Sequence, residues 1–359
     1  MTRICFYTSD YGYGHATRDV AIVRGIHREC GAEFFVKTGN TYEFMKESLP
    51  FARAIKRPND VGICHKGDSA VADEERTGAA LDKWTRTWGG YISEEVAFCK
   101  ENKVDIILSD IVPQAFLVAE ELGVPGIGIS NFTWHYIFSN LLGHTESTER
   151  LAAAYASAHS ALVLPFNESM GVFKRRKEIG LVSRKITESR QALRSRHGLS
   201  NDVLLVYLGF GKSLGQGFLR SLKRAPATNL HYLVSSGAEL PLKNVIQIPP
   251  DATETQNYIA MCDLVVAKCG YSTVSEAIQA RIPMFLFRRR GYEEDRLIAD
   301  GVKALGLGKE ITEGEFLGFD WVNEVGDLNA YRPAFEKLTG RFKRDGMDEI
   351  VEAVKEAAR

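Results

Sequence analysis

The sequence lacks an excess of either charge, a long apolar run and paired cysteines, and each absence excludes a class of protein. Lysine and arginine total 45 against 46 aspartates and glutamates, and this net charge of −1 provides no field to attract nucleic acid. No stretch approaches the roughly 20 apolar residues of a membrane-spanning helix. The six cysteines form no CxxC pair, which argues against a disulfide framework or paired metal ligation.

The N-terminal segment and the cysteines together predict a cytoplasmic protein. Residues 1–7 run directly into a strand-like segment, without the longer apolar region of a signal peptide. Scattered cysteines are typical of reduced thiols that pack as small apolar groups. A reducing cytoplasm is therefore the expected location.

Short apolar runs alternate along the chain with helix-length amphipathic segments. This alternation is typical of βαβ units, which build parallel sheets. The 359 residues suit two domains of roughly 150 to 200 residues. The runs predicted as strands are 4–8, 32–38, 105–109, 126–130, 160–164, 203–208, 230–235, 245–248, 264–267 and 283–287. The segments predicted as helices include 18–30, 41–48, 79–101, 113–122 and 348–358.

A charged stretch, residues 165–200, separates two series of predicted strands. The pattern therefore predicts an α/β protein of two Rossmann-like parallel-sheet domains that face one another across a cleft. Ligands of such domains bind outside the carboxyl ends of the strands. We assign residues 1–178 to an acceptor-binding domain and 179–342 to a nucleotide-sugar-binding domain. The final segment, 343–359, is predicted as a helix that packs back on the first domain.

The strongest motif follows the predicted strand 264–267 and runs from Lys268 to Ala277. Gly270 permits a tight turn, and Ser272 and Thr273 offer N-cap oxygens. The free N–H groups at the start of the helix would favour a phosphate. Glu276, placed on the first turn, could accept hydrogen bonds from a ribose diol. The alternative is a capping box, in which Glu276 bonds back to Thr273.

This motif resembles the donor motif of glycosyltransferases with the two-domain GT-B fold. The similarity is greatest to the bacterial N-acetylglucosaminyltransferase of the peptidoglycan precursor, within the UDP-glycosyltransferase group. The resemblance implies transfer of a sugar from a nucleotide-sugar, a UDP-sugar, to an acceptor hydroxyl. It also implies that no cofactor or metal is required, and the sequence contains no Asp-x-Asp triplet.

The resemblance implies further donor contacts in the second half of the chain. In the family, acidic or amide side chains after the next strand hold the sugar hydroxyls, and here Glu294 and Asp295 match them. The pair Asp295-Arg296 departs from a position where the closest relatives often carry two glutamines, which leaves the identity of the donor sugar open. The three consecutive arginines at 288–290 have two alternative interpretations. They either bind the acceptor or an extra phosphate, or they form a solvated loop.

A Gly-rich turn after the predicted strand 203–208 resembles the family's phosphate loop. Its glycines allow close backbone approach to a diphosphate. The backbone near Ile248 matches the segment that receives the base. The residues of these two segments that we predict to bind the donor are Gly209, Gly211, Lys212, Ser213 and Ile248.

The first turn of the chain, residues 10–18, resembles the G-x-G-H-x-x-R/P loop of the same superfamily. We predict that His15 is the general base, because imidazole titrates near neutrality, and that Gly14 borders the donor. Asp110, which directly follows a predicted strand, would orient His15. The alternatives are that His15 only bonds within its turn or caps the helix, and that Asp110 only caps the helix that follows it.

The acceptor stays open between a lipid, a glycan and a small molecule. Asn131 and Trp134 follow another predicted strand and are assigned to the acceptor side, where an aromatic ring could stack on a sugar. The basic segments 174–177 and 184–196 either contact an anionic membrane surface peripherally or are solvated.

Two other functions share these motifs. UDP-sugar hydrolases of the pseudaminic acid pathway have the same fold, and Gly12, Gly14, His15 and Arg18 match their loop. There, the histidine activates water. A non-catalytic sugar-nucleotide-binding module, such as the B-type domain fused to some sugar kinases, is the third hypothesis.

Overall fold

The computed structural model describes residues 1–67, 71–210, 221–223, 229–235 and 242–359. The chain divides into two compact units. Unit 1 comprises Met1–Cys64, Asp73–Val182 and Thr339–Arg359, and unit 2 comprises His65–Ala72 and Ser183–Leu338. The units change at Val182 and at Thr339, within four residues of the boundaries expected after residues 178 and 342. The segment His65–Ala72, expected in the first domain, belongs to unit 2.

Unit 1 is built on a seven-stranded parallel sheet in the order β3-β2-β1-β4-β5-β6-β7. The central strand β1 pairs Cys5 with Phe35 of β2 on one side and with Ile107 of β4 on the other. The strands are β1 Arg3–Thr8, β2 Glu33–Thr38, β3 Arg53–Lys56, β4 Ile106–Asp110, β5 Gly126–Ser130, β6 Ser160–Val163 and β7 Arg176–Glu178. The helices are α1 Tyr13–Cys30, α2 Tyr42–Ser48, α3 Glu74–Arg86, α4 Trp88–Glu101, α5 Gln114–Leu122, α6 Trp134–Leu142 and α7 Glu146–Ala156.

Unit 2 is built on a six-stranded parallel sheet in the order β10-β9-β8-β11-β12-β13. Its strands are β8 Leu205–Gly209, β9 His231–Val234, β10 Val245–Gln247, β11 Leu264–Lys268, β12 Met284–Phe287 and β13 Gly308–Ile311. Its α-helices include α8 Arg190–Arg196, α9 Thr255–Ala260, α10 Tyr271–Ala280, α11 Glu293–Ala304, α12 Glu313–Gly318 and α13 Arg332–Glu336, and Asp320–Tyr331 is a 3₁₀ helix.

The last segment of the chain completes unit 1. A 3₁₀ turn, Gly340–Phe342, leads to helix α14, Met347–Ala357. The Met347 side chain packs against Gly25 of α1, where a Cβ atom would collide with it. Leu181 pairs with Asp345 in an isolated parallel bridge, and the Gly180 N–H donates to Glu349 at 2.7 Å. These contacts tie the C-terminal segment to α1 and to the chain after β7.

The central strands of both sheets are apolar along most of their length because helices cover both faces. The core of unit 2, for example, joins strand residues such as Val206, Leu264 and Phe285 to Trp321 of the 3₁₀ helix. The predicted fold class, two Rossmann-like parallel-sheet domains, is confirmed. Among the described residues, no helix is both long enough and apolar enough to span a membrane.

Candidate functional site

The carboxyl ends of β1, β4 and β5 bring four polar residues of unit 1 together. After β1 the chain turns at Gly12, whose φ of 101° is accessible to glycine, and α1 begins at Tyr13. His15 and Arg18 stand three residues apart on the first turns of α1, on the same face. Asp110 is the last residue of β4, and Asn131 directly follows β5.

The predicted pair of His15 and Asp110 is in contact. The His15 Nδ1 atom lies 2.9 Å from Asp110 Oδ2, and the two side chains are 7% and 0% exposed. Neither residue caps a helix by its side chain: the N-cap residues of α1 and α5 are Gly12 and Pro113, and neither helix has a side-chain cap. The structure thus gives both residues the mutual contact that the motif predicted.

The Arg18 guanidinium donates two hydrogen bonds to the same carboxylate. Its Nε donates to Asp110 Oδ2 at 2.8 Å and its Nη2 to Oδ1 at 2.5 Å. Burial alone would raise the pKa of Asp110, but the charges and hydrogen bonds of Arg18 and His15 outweigh it and hold that pKa well below its ordinary value. Asp110 is therefore an ionised acceptor at neutral pH.

The ionised carboxylate decides the imidazole tautomer. His15 Nδ1 also lies 2.9 Å from Arg18 Nη2, but arginine can only donate, so the two contacts require opposite protonation of Nδ1. A hydrogen bond to a carboxylate is the stronger of the two, and Arg18 already has other acceptors. The Nδ1–H therefore points to Asp110, which leaves the Nε2 lone pair to take a proton.

Two residues assigned to the acceptor side have structural partners in unit 1. The side-chain Oδ1 atom of Asn131 accepts from Arg18 Nη1 at 2.7 Å, which places Asn131 beside the His15–Asp110 pair. Trp134 is only 1% exposed and stacks on Phe138 with ring centroids 5.1 Å apart. The expectation that the Trp134 ring offers a face to a sugar is corrected, because neighbouring side chains cover the ring.

Trp134 instead positions a carboxylate that the sequence did not single out. Its Nε1 donates to Asp60 Oδ2 at 2.7 Å, and the Asp10 N–H donates to Asp60 Oδ1 at 2.8 Å. Burial, and then the negative charge of Asp10, raise the pKa of Asp60 to about 7. Asp10 itself accepts from the N–H groups of Gly39 and Asn59, and so joins the loops after β1, β2 and β3.

A second buried carboxyl, that of Asp19, is close enough to Asp110 for the two charges to interact. It is fully buried on α1. Burial and the neighbouring charge of Asp110 raise its pKa well above the ordinary value, which favours the protonated form. Asp19 follows Arg18 directly, so only the three-dimensional arrangement distinguishes it from the other charged residues of the helix.

In unit 2 the predicted donor motif forms the end of β11 and the start of α10. The helix has Gly270 as its N-cap and begins at Tyr271, without a side-chain cap. The expectation that Ser272 and Thr273 cap this helix is therefore wrong, and so is the alternative capping box. Glu276 lies on the second turn rather than the first, because the glycine lets the chain enter the helix earlier.

Glu276 is paired with Arg184 of the basic segment 184–196, which was expected either to contact an anionic membrane surface or to be solvated. Arg184 Nε donates to Glu276 Oε1 at 2.9 Å, and Arg184 Nη2 lies 2.8 Å from the same oxygen. Both side chains are buried. Burial raises the pKa of Glu276, and the charge and hydrogen bonds of Arg184 partly oppose this.

The loop after β12 contains a second buried ion pair. Arg289 donates from Nε to Asp295 Oδ2 at 3.0 Å and from Nη2 to Oδ1 at 2.6 Å. Asp295, predicted to hold sugar hydroxyls, has both oxygens engaged by Arg289, and this arginine is buried rather than part of a solvated loop. Glu294, the other predicted sugar ligand, is half-buried on the first turn of α11.

Three further polar residues of unit 2, Tyr292, His65 and Lys268, lie near this ion pair. The Arg289 guanidinium lies 3.9 Å from the centroid of the Tyr292 ring, and the Tyr292 hydroxyl contacts His65 Nε2. Lys268 lies beside the start of α10, with its Nζ 3.5 Å from the position of a Cβ on Gly270. Burial, and then the charge of Arg289, lower the pKa of Lys268 to about 8.

The remaining donor predictions fall on different parts of unit 2. Gly209 is the last residue of β8. A Cβ atom added to Gly209 would lie 2.7 Å from the Ala267 Cβ, so packing alone explains why this position is a glycine. Ile248 is buried, and its N–H donates to Val234. Gly211, Lys212 and Ser213 lie outside the described residues.

Two arginines of the basic segment 184–196 are internal to unit 2, whereas Lys185, Arg190 and Arg196 are exposed. Arg194, like Arg184, is buried, and donates to the backbone carbonyls of Met261 and Ser200. Within the part of the chain that the structure describes, no three histidine, cysteine, aspartate or glutamate side chains are grouped to hold a metal ion.

Solved structures with a similar architecture include glycosyltransferases. The Arabidopsis thaliana protein UGT89C1 complexed with UDP matches with a TM-score of 0.68 and 12% identity, over 100% of both chains. The glycosyltransferase SnogD from Streptomyces nogalater matches with a TM-score of 0.66 and 14% identity, over 99% of both chains. The glycosyltransferase VinC in complex with DTDP gives 0.65 and 14%, also over 99% of both. The chain thus has the GT-B fold.

A curated relative has a different name. The L-arabinokinase of Arabidopsis thaliana is 27% identical over an alignment of 351 residues, and the match covers 92% of this chain but 32% of that protein. The chain therefore spans about a third of the length of this relative. No protein-family model matches the chain.

Proposed function

We propose that this protein is a glycosyltransferase that moves the sugar of a nucleotide-sugar, UDP-linked, to an acceptor hydroxyl, with His15 as the general base. The observation that carries the proposal is the contact of His15 Nδ1 with Asp110 at 2.9 Å, at the carboxyl edge of a GT-B unit. A carboxylate that fixes one ring nitrogen leaves the other as the base, the logic of a catalytic triad.

Unit 2 supplies the donor half of the proposal. The uncapped N–H groups at the start of α10 and the Lys268 ammonium would stabilise the negative charge of a leaving diphosphate. The proposal requires no metal, because these groups provide the positive charge. The solved structures with UDP and with DTDP support a nucleoside diphosphate as the ligand class.

The test of the catalytic role compares His15→Gln and Asp110→Asn with the surface variant His144→Gln. The His144 side chain is 83% exposed in unit 1, so its loss should leave the rate unchanged. General-base catalysis contributes about 10²- to 10⁴-fold, and we expect that loss in kcat for His15→Gln. The measurement is release of UDP from UDP-sugars, with and without a panel of acceptor hydroxyl compounds and in the presence and absence of EDTA.

The outcomes separate the alternatives. Rapid stoichiometric release of free sugar without an acceptor would replace the transferase by a UDP-sugar hydrolase that uses the same His15. Binding of nucleotide-sugars with no turnover, or turnover unchanged in His15→Gln and Asp110→Asn, would favour a binding module.

The binding module is kept as a second candidate because of one observation: the L-arabinokinase relative carries a region similar to this chain within a protein three times as long. Thermal stabilisation by UDP-, GDP- and TDP-sugars would identify the nucleotide in either case, since a ligand that binds only the folded state raises the apparent stability.

A further inference from the structure

The carboxyl group of Asp19 is buried beside the candidate site, and the reaction proposed above does not use it. The residue is 0% exposed, and its charge interacts with that of Asp110. Asp19 stands four residues after His15 on α1, so the two side chains lie on the same face of that helix. Asp19 therefore belongs to the immediate surroundings of the His15–Asp110 pair.

The Asp19 carboxyl has no hydrogen-bond donor in its surroundings. Among the described residues, its Oδ1 and Oδ2 atoms are both enclosed and without a hydrogen-bond partner. The neighbouring Arg18 guanidinium donates instead to Asp110 and Asn131. An ionised Asp19 would be a buried carboxylate that accepts no hydrogen bond, which is costly, so this carboxyl holds a proton.

A protonated carboxyl is itself a donor, and two acceptors lie near that of Asp19. These are the Asp110 carboxylate and the Thr8 hydroxyl, which are paired in the register of β1 with β4. The Thr8 hydroxyl is also enclosed and without a partner in the part of the chain that the structure describes. An ionised carboxylate is a stronger acceptor than a hydroxyl, so the proton of Asp19 points to Asp110.

A neutral Asp19 leaves the charges around His15 balanced. Arg18 of α1 contributes one positive charge and Asp110 of β4 one negative charge, while the Thr8 hydroxyl of β1 is neutral. An ionised Asp19 would add a second negative charge, which would favour the imidazolium form of His15 before an acceptor hydroxyl has given up its proton. Two carboxyl groups that share one buried site do not both ionise readily, and Arg18 selects Asp110 as the ionised one.

We propose that Asp19 is a positioning residue of the His15–Asp110 pair: it stays a neutral acid and donates a hydrogen bond to the Asp110 carboxylate, which fixes the orientation of Asp110 toward His15. The proton remains on Asp19, and no bond forms or breaks there. The use of His15 as a base rests on the proposed function, whereas the neutral state of Asp19 does not.

The experiment compares Asp19→Asn with Asp19→Leu. Asparagine is neutral and keeps a donor, so kcat should stay within about 3-fold of the wild type and the midpoint of the His15 NMR titration within about 0.3 pH unit. Leucine has no donor, so Asp110 loses a hydrogen bond and acts more strongly on the imidazolium. In Asp19→Leu the midpoint should rise by about 0.5–1 pH unit and kcat should fall about 10-fold.

Infrared spectroscopy tests the state of Asp19 without turnover. At neutral pH the wild type should show the C=O stretching band of a protonated carboxylic acid that is missing in Asp19→Asn. The matched control is Glu29→Gln, because Glu29 is an exposed acid on the same helix and pairs with Arg28. This variant should leave the band, the His15 titration and kcat unchanged.

The outcomes separate this inference from the proposed function. If Asp19→Leu does not fold, judged by circular dichroism, the band and the Asp19→Asn variant decide. A missing band in the wild type, or a His15 midpoint that falls by about 1 pH unit or more in Asp19→Asn, would show an ionised Asp19 and overturn the proposal. Wild-type kcat and midpoint in folded Asp19→Leu would also overturn it. A wild type with the band but without turnover would instead overturn the proposed function.

Discussion

At the scale of single residues, three carboxylates at the ends of strands or on adjacent helices are each held by a buried arginine. Arg18 holds Asp110, Arg184 holds Glu276, and Arg289 holds Asp295. Removing one partner of such a pair leaves an uncompensated buried charge, whereas replacing both can be nearly neutral. The pairs therefore fix the geometry of the sites more than they contribute to stability.

The pair in the loop after β12 provides a direct test. Arg289→Met should lower the free energy of unfolding by about 3–5 kcal/mol, since it leaves Asp295 buried without its partner. Urea unfolding followed by circular dichroism measures the change. The neighbouring Arg288→Met is the matched control, because Arg288 pairs with Asp300 at the surface and its loss should cost less than about 1 kcal/mol.

An Arg289→Met/Asp295→Asn double variant should recover part of the stability lost in the single variant. A single variant as stable as the wild type would mean that Asp295 finds another partner or takes up a proton at little cost.

Asp60 gives a prediction about pH. Its pKa in the folded protein is about 7, above the ordinary value of 3.8, so the folded state binds the proton more tightly than the unfolded state does. The contribution of Asp60 to stability is then complete below about pH 4 and is lost as the pH rises to about 7. The fall in Tm between pH 4 and pH 7 should therefore be smaller in Asp60→Asn than in the wild type.

The exposed Asp202→Asn variant should leave that pH dependence unchanged. An identical pH profile in Asp60→Asn and the wild type would show that Asp60 titrates at its ordinary value.

The role of a single residue could be predicted from the sequence only where that residue belongs to a recognisable local motif. The turn that contains His15 and the strand end at Asp110 are both visible in the sequence, and the structure brings them into contact. The partners Arg184 and Arg289 were not identified, since they meet their carboxylates only through the tertiary fold. Their local sequence, a run of positive charge, is equally typical of a solvated surface.

At the scale of helices and strands, the start of α1 decides where His15 stands. Gly12 has φ 101° and ψ 172°, a region that side-chain-bearing residues rarely enter. Gly12→Ala should therefore cost about 1–3 kcal/mol of stability and lower activity by displacing the first turn of α1. Chemical denaturation and the UDP-release assay measure the two effects.

Gly89→Ala is the matched control for that change. Gly89 lies on α4 with open space where a Cβ would be, so alanine should stabilise the protein by up to about 1 kcal/mol through helix propensity. If Gly12→Ala were as stable and active as the wild type, the turn would be able to adopt another backbone conformation.

The accuracy of the predicted elements follows from their chemistry. Apolar buried strands such as β5, Gly126–Ser130, are located to the residue, because both faces are covered. The strands β3, β7 and β13 were not predicted, since each carries charged side chains and lies at an edge of its sheet. The predicted helix 79–101 is two helices, α3 and α4, divided at Thr87, whose hydroxyl bonds to the Trp84 carbonyl at 2.7 Å.

At the scale of the whole molecule, unit 1 depends on the C-terminal segment. Helix α14 buries Met347, Ile350, Val351 and Val354. Burial of such side chains contributes about 1.5–3 kcal/mol each, so their combined loss is comparable with the whole stability of a typical domain. A chain truncated after Leu338 should therefore fail to fold unit 1, as measured by the loss of its unfolding transition in differential scanning calorimetry.

Removal of only Ala358 and Arg359, which lie beyond α14, is the control and should leave the Tm within about 1 °C. A truncated chain with both the wild-type Tm and the wild-type unfolding enthalpy would contradict the dependence.

The discontinuity of unit 1 has a consequence for protein synthesis. A ribosome synthesises the chain from its N-terminus, so the segment Thr339–Arg359 that completes unit 1 emerges only after unit 2. Unit 1 must therefore wait, with the α1 surface around Gly25 uncovered, until all of unit 2 has been translated. We expect the nascent chain to present this apolar surface to chaperones for longer than a protein of two sequential domains would.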